Sequence, residues 1–199
     1  MTGSFLENER ARIFDGEDRE LYLHVGYFIT WHNTVEHKIT LLMALIMGEE
    51  DLSAFDVITR KLNGQTKVRR LKRLCELKKR EIEQPLLDRL DHYTTKICPL
   101  RNKLAHRSTA RDEKVSRVYL VSLDRLPWKA LGVAVPMGIK VQSPDHIDLI
   151  TLFEYGLWLH SFSEDLTEVI DCAIKRESLG IKTPRSPLPK APLAATPKP

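Results

Sequence analysis

Three side chains near the middle of the sequence combine groups that could act on a phosphate. Arg101 carries a forked guanidinium with a permanent positive charge, which suits a phosphate or a carboxylate. His106, five residues further on, can accept or donate a proton near neutral pH. Asn102 adds an amide that could orient a phosphate or the imidazole. The stretch Arg-Asn-Lys-Leu-Ala-His therefore offers charge stabilisation and proton transfer in one short segment.

A second pair of polar residues, His32 and Glu36, stands four positions apart in a segment with helical periodicity. The pair could support a catalytic site as a second base and an orienting carboxylate. The simpler interpretation is a histidine at the edge of the core that bonds to Glu36, and the sequence leaves both open. With His37 the pair gives partial metal spacing, but no further ligand follows, so we expect no metal and no cofactor.

Basic residues are concentrated in one segment. The stretch from Arg60 to Arg80 holds ten Lys or Arg and one acid, whereas the rest of the chain is net acidic. Charge of this kind attracts polyanions, and phosphate contacts need Lys and Arg. A solvated helix face is the alternative. The residues that we expect to contact a nucleic-acid backbone are Lys67, Arg69, Arg70, Lys72 and Arg73.

The spacing of apolar residues predicts the elements that position these groups. Stripes at intervals of three and four predict helices over about 18–47, 51–62, 65–81, 85–104 and 145–178. The predicted fold class is therefore mainly all-α, a helical bundle of about five helices. Pro99 lacks an N–H group, so we expect the fourth helix to kink or restart there.

Two regions depart from the helical pattern. Residues 115–123 and 131–141 are rich in β-branched and apolar residues, which predicts a small β-hairpin insertion at about 114–141. From Lys182 onward, six of eighteen residues are Pro and none is acidic, so we expect a disordered tail at 182–199 after a helical domain at 1–181.

The bulk composition predicts a cytoplasmic protein that does not enter a membrane. Charged residues make up 29% of the chain, no apolar run is long enough to span a bilayer, and the N-terminus lacks a signal-peptide profile. The three cysteines are odd in number and far apart, which favours buried free thiols.

The Arg101–His106 stretch resembles the Arg/His motif of HEPN domains. In these helical bundles an Arg, often followed by a polar residue, lies four to six residues ahead of a His, and Arg101, Asn102 and His106 match this pattern residue by residue. The resemblance implies a metal-independent endoribonuclease that acts as a homodimer with two motifs in one cleft. It also implies a toxin or defence effector, to which a neutralising protein partner could bind.

Other interpretations of the motif stay open. Some HEPN domains keep the fold and serve only in binding, so a non-catalytic module that binds RNA or a protein through the basic helix is the main alternative. Arg101 and His106 could also be a surface cation and a helix-end histidine, and Arg19 and His24 have the same spacing elsewhere in the chain.

Geometry sets a condition on the catalytic interpretation. Residues five apart on a straight helix are about 140° apart around its axis, so Arg101 and His106 would not face the same way. Either the kink at Pro99 corrects this, or a second copy of the chain completes the site.

Overall fold

The computed structural model describes residues 19–48, 55, 59, 61–106, 108–112, 117–121, 145–181 and 184–189. Within these ranges the chain is mainly α-helical, which confirms the predicted fold class. The predicted helix at 51–62 and the predicted strand at 131–141 lie mostly or entirely outside the described residues. The described helices are α1 (Arg19–Met47), α2 (Gly64–Leu77), α3 (Gln84–His92), α4 (Cys98–His106) and α5 (Leu149–Ile174).

Helix α1 is amphipathic and buries a stripe of residues three, four or seven positions apart. This spacing puts the apolar side chains on one face of a helix, where they leave water together. The fully buried apolar residues of this stripe include Phe28, Val35, Ile39 and Leu42. Within the described part of the chain, no helix combines the length and apolar character that a membrane crossing requires.

Helices α1 and α5 form the main packing pair of the bundle and run in the same direction. His24 contacts Phe153 with ring centroids 5.1 Å apart. Seven residues later, Trp31 stacks on His160 at 4.0 Å. After seven more, the Nζ of Lys38 donates to Thr167 Oγ1 at 2.7 Å. A repeat of seven is the period at which two helices keep one seam in contact, so this pair packs much like a parallel coiled coil.

Helix α2 begins at a side-chain cap. The Oδ1 of Asn63 accepts from the backbone N–H of Thr66 at 2.9 Å, which satisfies one of the free donors of the first turn. The helix buries Val68, Leu71 and Cys75. Asn63 is therefore the N-cap of this helix, which begins at Gly64, one residue before the predicted start at 65.

Helices α3 and α4 are joined by a π-helical turn at Tyr93–Ile97. The N–H of Cys98 donates to the carbonyl of Tyr93, five residues earlier, and Pro99 follows at the start of α4 where no donor is needed. The irregularity predicted at Pro99 is thus present, and it takes the form of a wider turn just before the proline.

Three short strands follow α4, namely β1 (Ser108–Asp112), β2 (Arg117–Val121) and β3 (Asp145–Asp148). They pair antiparallel in the order β1-β2-β3, with Ala110 opposite Tyr119 and Val118 opposite Ile147. The predicted hairpin, whose second strand lies outside the described residues, stays a prediction. Residues 145–148, expected to open the last helix, pair with β2 instead, and the helix begins at Leu149.

The segment after α5 returns to the bundle. Leu179 and Ile181 are buried, and the N–H of Leu179 donates to the carbonyl of Glu81 at 2.9 Å. Further on, the backbone carbonyl of Ser186 accepts from Arg89, although the sequence suggested a disordered tail from residue 182. The boundary at 181/182 stays a prediction, because residues 182, 183 and 190–199 lie outside the described residues.

Candidate functional site

A cavity of about 230 Å³ lies between α1, the start of α2 and α4. It contains four residues that the sequence singled out for chemistry, His32 and Glu36 from α1 and Arg101 and Asn102 from α4. These two pairs lie far apart in the sequence, and only the tertiary packing brings them together. The other residues that line the cavity are Lys61, Leu62, Asn63, Gly64, Gln65 and Cys98.

His106 is the last residue of α4, and its side chain lies outside the described part of the structure. Its backbone position nevertheless tests the idea that the kink at Pro99 turns Arg101 and His106 toward the same side of the helix. The π-helical turn precedes both Arg101 and His106, and both belong to one regular helix, so the turn leaves them about 140° apart around the axis. The explanation that the irregularity at Pro99 brings the two residues onto one face is therefore wrong.

His32 is the histidine that shares the cavity with Arg101. It is 1% exposed, and its Nε2 lies 3.1 Å from the hydroxyl of Tyr93. Its Nδ1 is buried without a hydrogen bond of good geometry to any described residue. Burial is the main cause that lowers the pKa of His32 from 6.5 to about 4, and the positive charge of Arg101 adds to it. The side chain of Asn33 acts in the opposite direction, and Lys67 contributes least. At neutral pH the imidazole is therefore uncharged, and it is a weaker base than a free histidine.

Glu36 lines the same cavity, and Lys67 lies behind it. The Oε2 of Glu36 is 4.0 Å from the Nζ of Lys67, whose side chain is 8% exposed. A buried ammonium needs a nearby negative charge, so this pair fixes the carboxylate toward the floor of the site. The interpretation of Glu36 as the hydrogen-bond partner of His32 has no support in the contacts, because His32 bonds to Tyr93 instead.

Gly64 allows the start of α2 to approach the buried side chains beneath the cavity. A Cβ atom at this position would lie 2.8 Å from the Tyr93 hydroxyl, 2.9 Å from Cys98 Sγ and 3.0 Å from a Glu36 oxygen. These distances are too short for non-bonded atoms, and Tyr93 and Cys98 are almost fully buried. Glycine is required here for close packing, not for an unusual backbone angle.

We predict that Gly64→Ala lowers the free energy of unfolding by about 1–3 kcal/mol, since overpacking forces buried neighbours to shift. Urea denaturation of the purified protein measures this directly. Gly26→Ala is the matched control, because a Cβ atom at Gly26 meets nothing within 4 Å and alanine favours a helix interior by about 0.5–1 kcal/mol. Equal stabilities of the two variants would contradict the close approach at Gly64.

The five basic residues predicted for nucleic-acid binding do not share one environment. Lys67 is buried beneath the cavity, as described above. Lys72 pairs with Asp91 at 2.6 Å, and Arg73 with Glu76 at 2.7 Å. Arg69 and Arg70 are exposed. Within the described part of the chain, one of the five cations is thus buried and two are held in ion pairs, and Arg69 and Arg70 are the exposed cations outside such pairs.

The chemistry of the cavity does not resemble a metal centre. Its side chains supply one carboxylate, one imidazole and one thiol beside two cations, and His37 is exposed on α1 outside it. Among the described residues no group of three or more His, Cys, Asp or Glu side chains could hold a metal ion. Burial raises the pKa of the Cys98 thiol to about 12, so this cysteine is a weak nucleophile.

Sequence reasoning missed the contribution of Asn63, Gly64 and Tyr93 to this site. The signal for Asn63 was available, because asparagine ahead of an amphipathic stretch is a common N-cap. Tyr93 falls within the predicted helix at 85–104, and nothing in one sequence pairs its hydroxyl with His32.

Comparisons of the chain with protein-family models, with curated proteins and with solved structures find no match.

Proposed function

We propose that this chain is a metal-independent endoribonuclease that cuts RNA through attack of the RNA's own 2′-hydroxyl. The observation that carries the proposal is the shared cavity, in which Arg101 and Asn102 meet His32 and Glu36. A permanent cation beside an unprotonated imidazole is what phosphate transfer without a metal requires. The resemblance of the Arg101–His106 stretch to the HEPN motif supports the same reaction, and a role as a toxin or defence effector.

The reaction has two proton transfers. The 2′ oxygen forms a bond to phosphorus and gives its proton to a base, while the bond from phosphorus to the 5′ oxygen breaks and that oxygen takes a proton from an acid. The products are a 2′,3′-cyclic phosphate and a 5′-hydroxyl. Arg101 stabilises the charge on the phosphate oxygens, and Asn102 orients them. In this proposal His32, which is uncharged at neutral pH, accepts the first proton.

His106 supplies the second proton in this proposal, and it does so from another copy of the chain. Because Arg101 and His106 lie about 140° apart on α4, one chain cannot easily direct both at the same phosphate. A homodimer in which two α4 helices meet would place the His106 of one chain at the Arg101 of its partner. A neutralising protein partner could then act by covering this cleft.

The test is incubation of the full chain with mixed RNA in EDTA. We expect fragments that end in 2′,3′-cyclic phosphate, and a decrease of at least about 100-fold in the cutting rate for Arg101→Gln and for His106→Ala. His37→Ala is the matched control for histidine removal, since His37 is exposed on α1 away from the cavity, and its rate should equal that of the wild type. Circular dichroism verifies that each variant is folded.

Two results would count against the ribonuclease. Cutting that survives both substitutions indicates a contaminating nuclease. Intact RNA in every lane removes the catalytic proposal and favours the alternative, a non-catalytic module that binds RNA or a protein through α2. The exposed positions of Arg69 and Arg70 favour RNA in that case, and charge reversal at both residues should then weaken RNA binding.

A further inference from the structure

We infer that the N-terminal end of α2 and Arg101 together form a subsite for one phosphate group. The inference depends on the proposed function only because RNA is the expected source of the phosphate. The subsite itself follows from the residues that line the cavity. The start of α2 lines the cavity through Asn63, Gly64 and Gln65, and Arg101 lines it from α4.

The helix end supplies backbone donors that the helix itself does not use. The first N–H groups of a helix have no partner within it, and the aligned peptide dipoles give that end a partial positive charge. In α2, the N–H of Thr66 bonds to the Asn63 side chain and the N–H of Lys67 to the Asn63 carbonyl. The N–H groups of Gly64 and Gln65 come before these bonds, at the edge of the cavity.

A second observation, independent of the helix end, points to a ligand. His32 lines the same cavity and is 1% exposed, yet its Nδ1 has no hydrogen-bond partner of good geometry among the described residues. The Nε of Arg101 is also buried without such a partner. Buried polar atoms are nearly always bonded. A phosphate oxygen could accept from the Nε of Arg101, and a hydroxyl of the same ligand could donate to the unprotonated Nδ1 of His32, so such a ligand would satisfy both groups.

The positive charge and the volume of the cavity favour a phosphate over other anions. Arg101 and Lys61 line the cavity and Lys67 lies behind it, and these three cations oppose the single carboxylate of Glu36. A volume of about 230 Å³ is below the roughly 300 Å³ of the smallest drug-sized pockets. It therefore holds a phosphate with part of a sugar, while the base of the nucleotide stays outside.

The glycine at position 64 is consistent with phosphate binding at the N-terminal end of α2. Any larger residue would meet Tyr93, Cys98 and Glu36, so glycine lets the backbone sit directly on the floor of the cavity. Close approach of the backbone is what allows its N–H groups to reach a small ligand.

The experiment is a titration of the full chain with inorganic phosphate, followed by the amide resonances of Gly64 and Gln65. Asn63→Asp is the informative variant, because aspartate caps a helix as well as asparagine but places a negative charge beside the subsite. We expect saturable shifts in the wild type and at least tenfold weaker binding in Asn63→Asp and in Arg101→Gln. Gln84→Glu makes the same change of charge in the exposed first turn of α3, away from the cavity, and should bind like the wild type.

A second arm identifies the source of the phosphate. An RNA oligonucleotide with 2′-O-methyl groups cannot be cut by 2′-hydroxyl attack, and its competition with inorganic phosphate for the same amides would place an RNA phosphate in the subsite. Binding of inorganic phosphate without such competition supports the subsite and opposes the ribonuclease. Phosphate affinities that are equal in Asn63→Asp and Gln84→Glu, or the absence of saturable shifts, would overturn the subsite even if RNA is cut.

Discussion

Replacement of Asp165 by alanine is expected to lower the free energy of unfolding by about 3–5 kcal/mol. The Oδ2 of Asp165 lies 2.9 Å from the Nη1 of Arg89, and the two side chains are 0% and 3% exposed. Neither atom has a hydrogen-bond partner elsewhere in the described residues. Without Asp165 the guanidinium would stay buried with no opposing charge.

The surroundings of this pair explain why it does not simply open to water. Burial raises the pKa of the Asp165 carboxyl, although Arg89 acts in the opposite direction, and burial also lowers the pKa of Arg89. Trp158 lies 5.8 Å from the guanidinium, and the backbone of Ser186 accepts from it. The pair therefore also holds the segment after α5 against the bundle, and its loss should release that segment.

Equilibrium denaturation in urea at pH 7 measures the free energy of unfolding that Asp165→Ala loses. The matched control is Asp91→Ala, which removes an exposed ion pair with Lys72 and should cost less than about 1 kcal/mol. A double variant, Arg89→Met with Asp165→Leu, removes both charges and should recover most of the loss, because the penalty comes from the unpaired charge. Similar costs for Asp165→Ala and Asp91→Ala would contradict the burial of this pair.

The sequence predicted well those features that depend on local periodicity. The stripe of Phe28, Val35 and Leu42 predicted α1, because the spacing of apolar residues in a helix follows directly from its geometry. Pro99 predicted an irregular helix for an equally local reason, the missing N–H group. The residue types at 101 and 102 also suggested a phosphate-binding pair, and that role stays a prediction.

What the sequence could not predict depends on contacts between distant segments. Lys67 belongs to a basic stretch and was grouped with the exposed cations, yet the packing of α2 on α1 buries it near Glu36. No pattern in the sequence links Arg89 to Asp165, and both look like ordinary surface charges. The parallel pairing of α1 with α5 likewise follows from chain topology, which residue spacing alone does not determine.

The second large effect that we expect is a loss of folding stability at acidic pH. It tests the burial of His32. The pKa of His32 is about 4 in the folded chain and near 6.5 when the chain is unfolded. Between these values the unfolded chain binds more protons, so the folded state loses stability as the pH falls from 6.5 toward 4. A shift of this size corresponds to about 3 kcal/mol over the full range, and to about 2 kcal/mol between pH 6.5 and pH 5.

His32→Gln isolates this contribution from those of other groups. Burial also lowers the pKa of His92, but that residue is present in both proteins and cancels in the difference. We expect the stability of the wild type relative to His32→Gln, measured by urea denaturation, to decrease by about 2 kcal/mol from pH 6.5 to pH 5. His37→Gln removes an exposed histidine of the same helix and serves as the matched control for loss of an imidazole.

The outcome bears on chemistry as well as on stability. A difference between wild type and His32→Gln that stays constant from pH 6.5 to pH 5 would mean that His32 titrates normally, which requires the cavity to be wetter than its contacts indicate. A difference that decreases as expected means that the imidazole remains unprotonated next to Arg101 at neutral pH. That protonation state is the one a proton acceptor needs, and the same burial that makes the folded chain sensitive to acid is what maintains it.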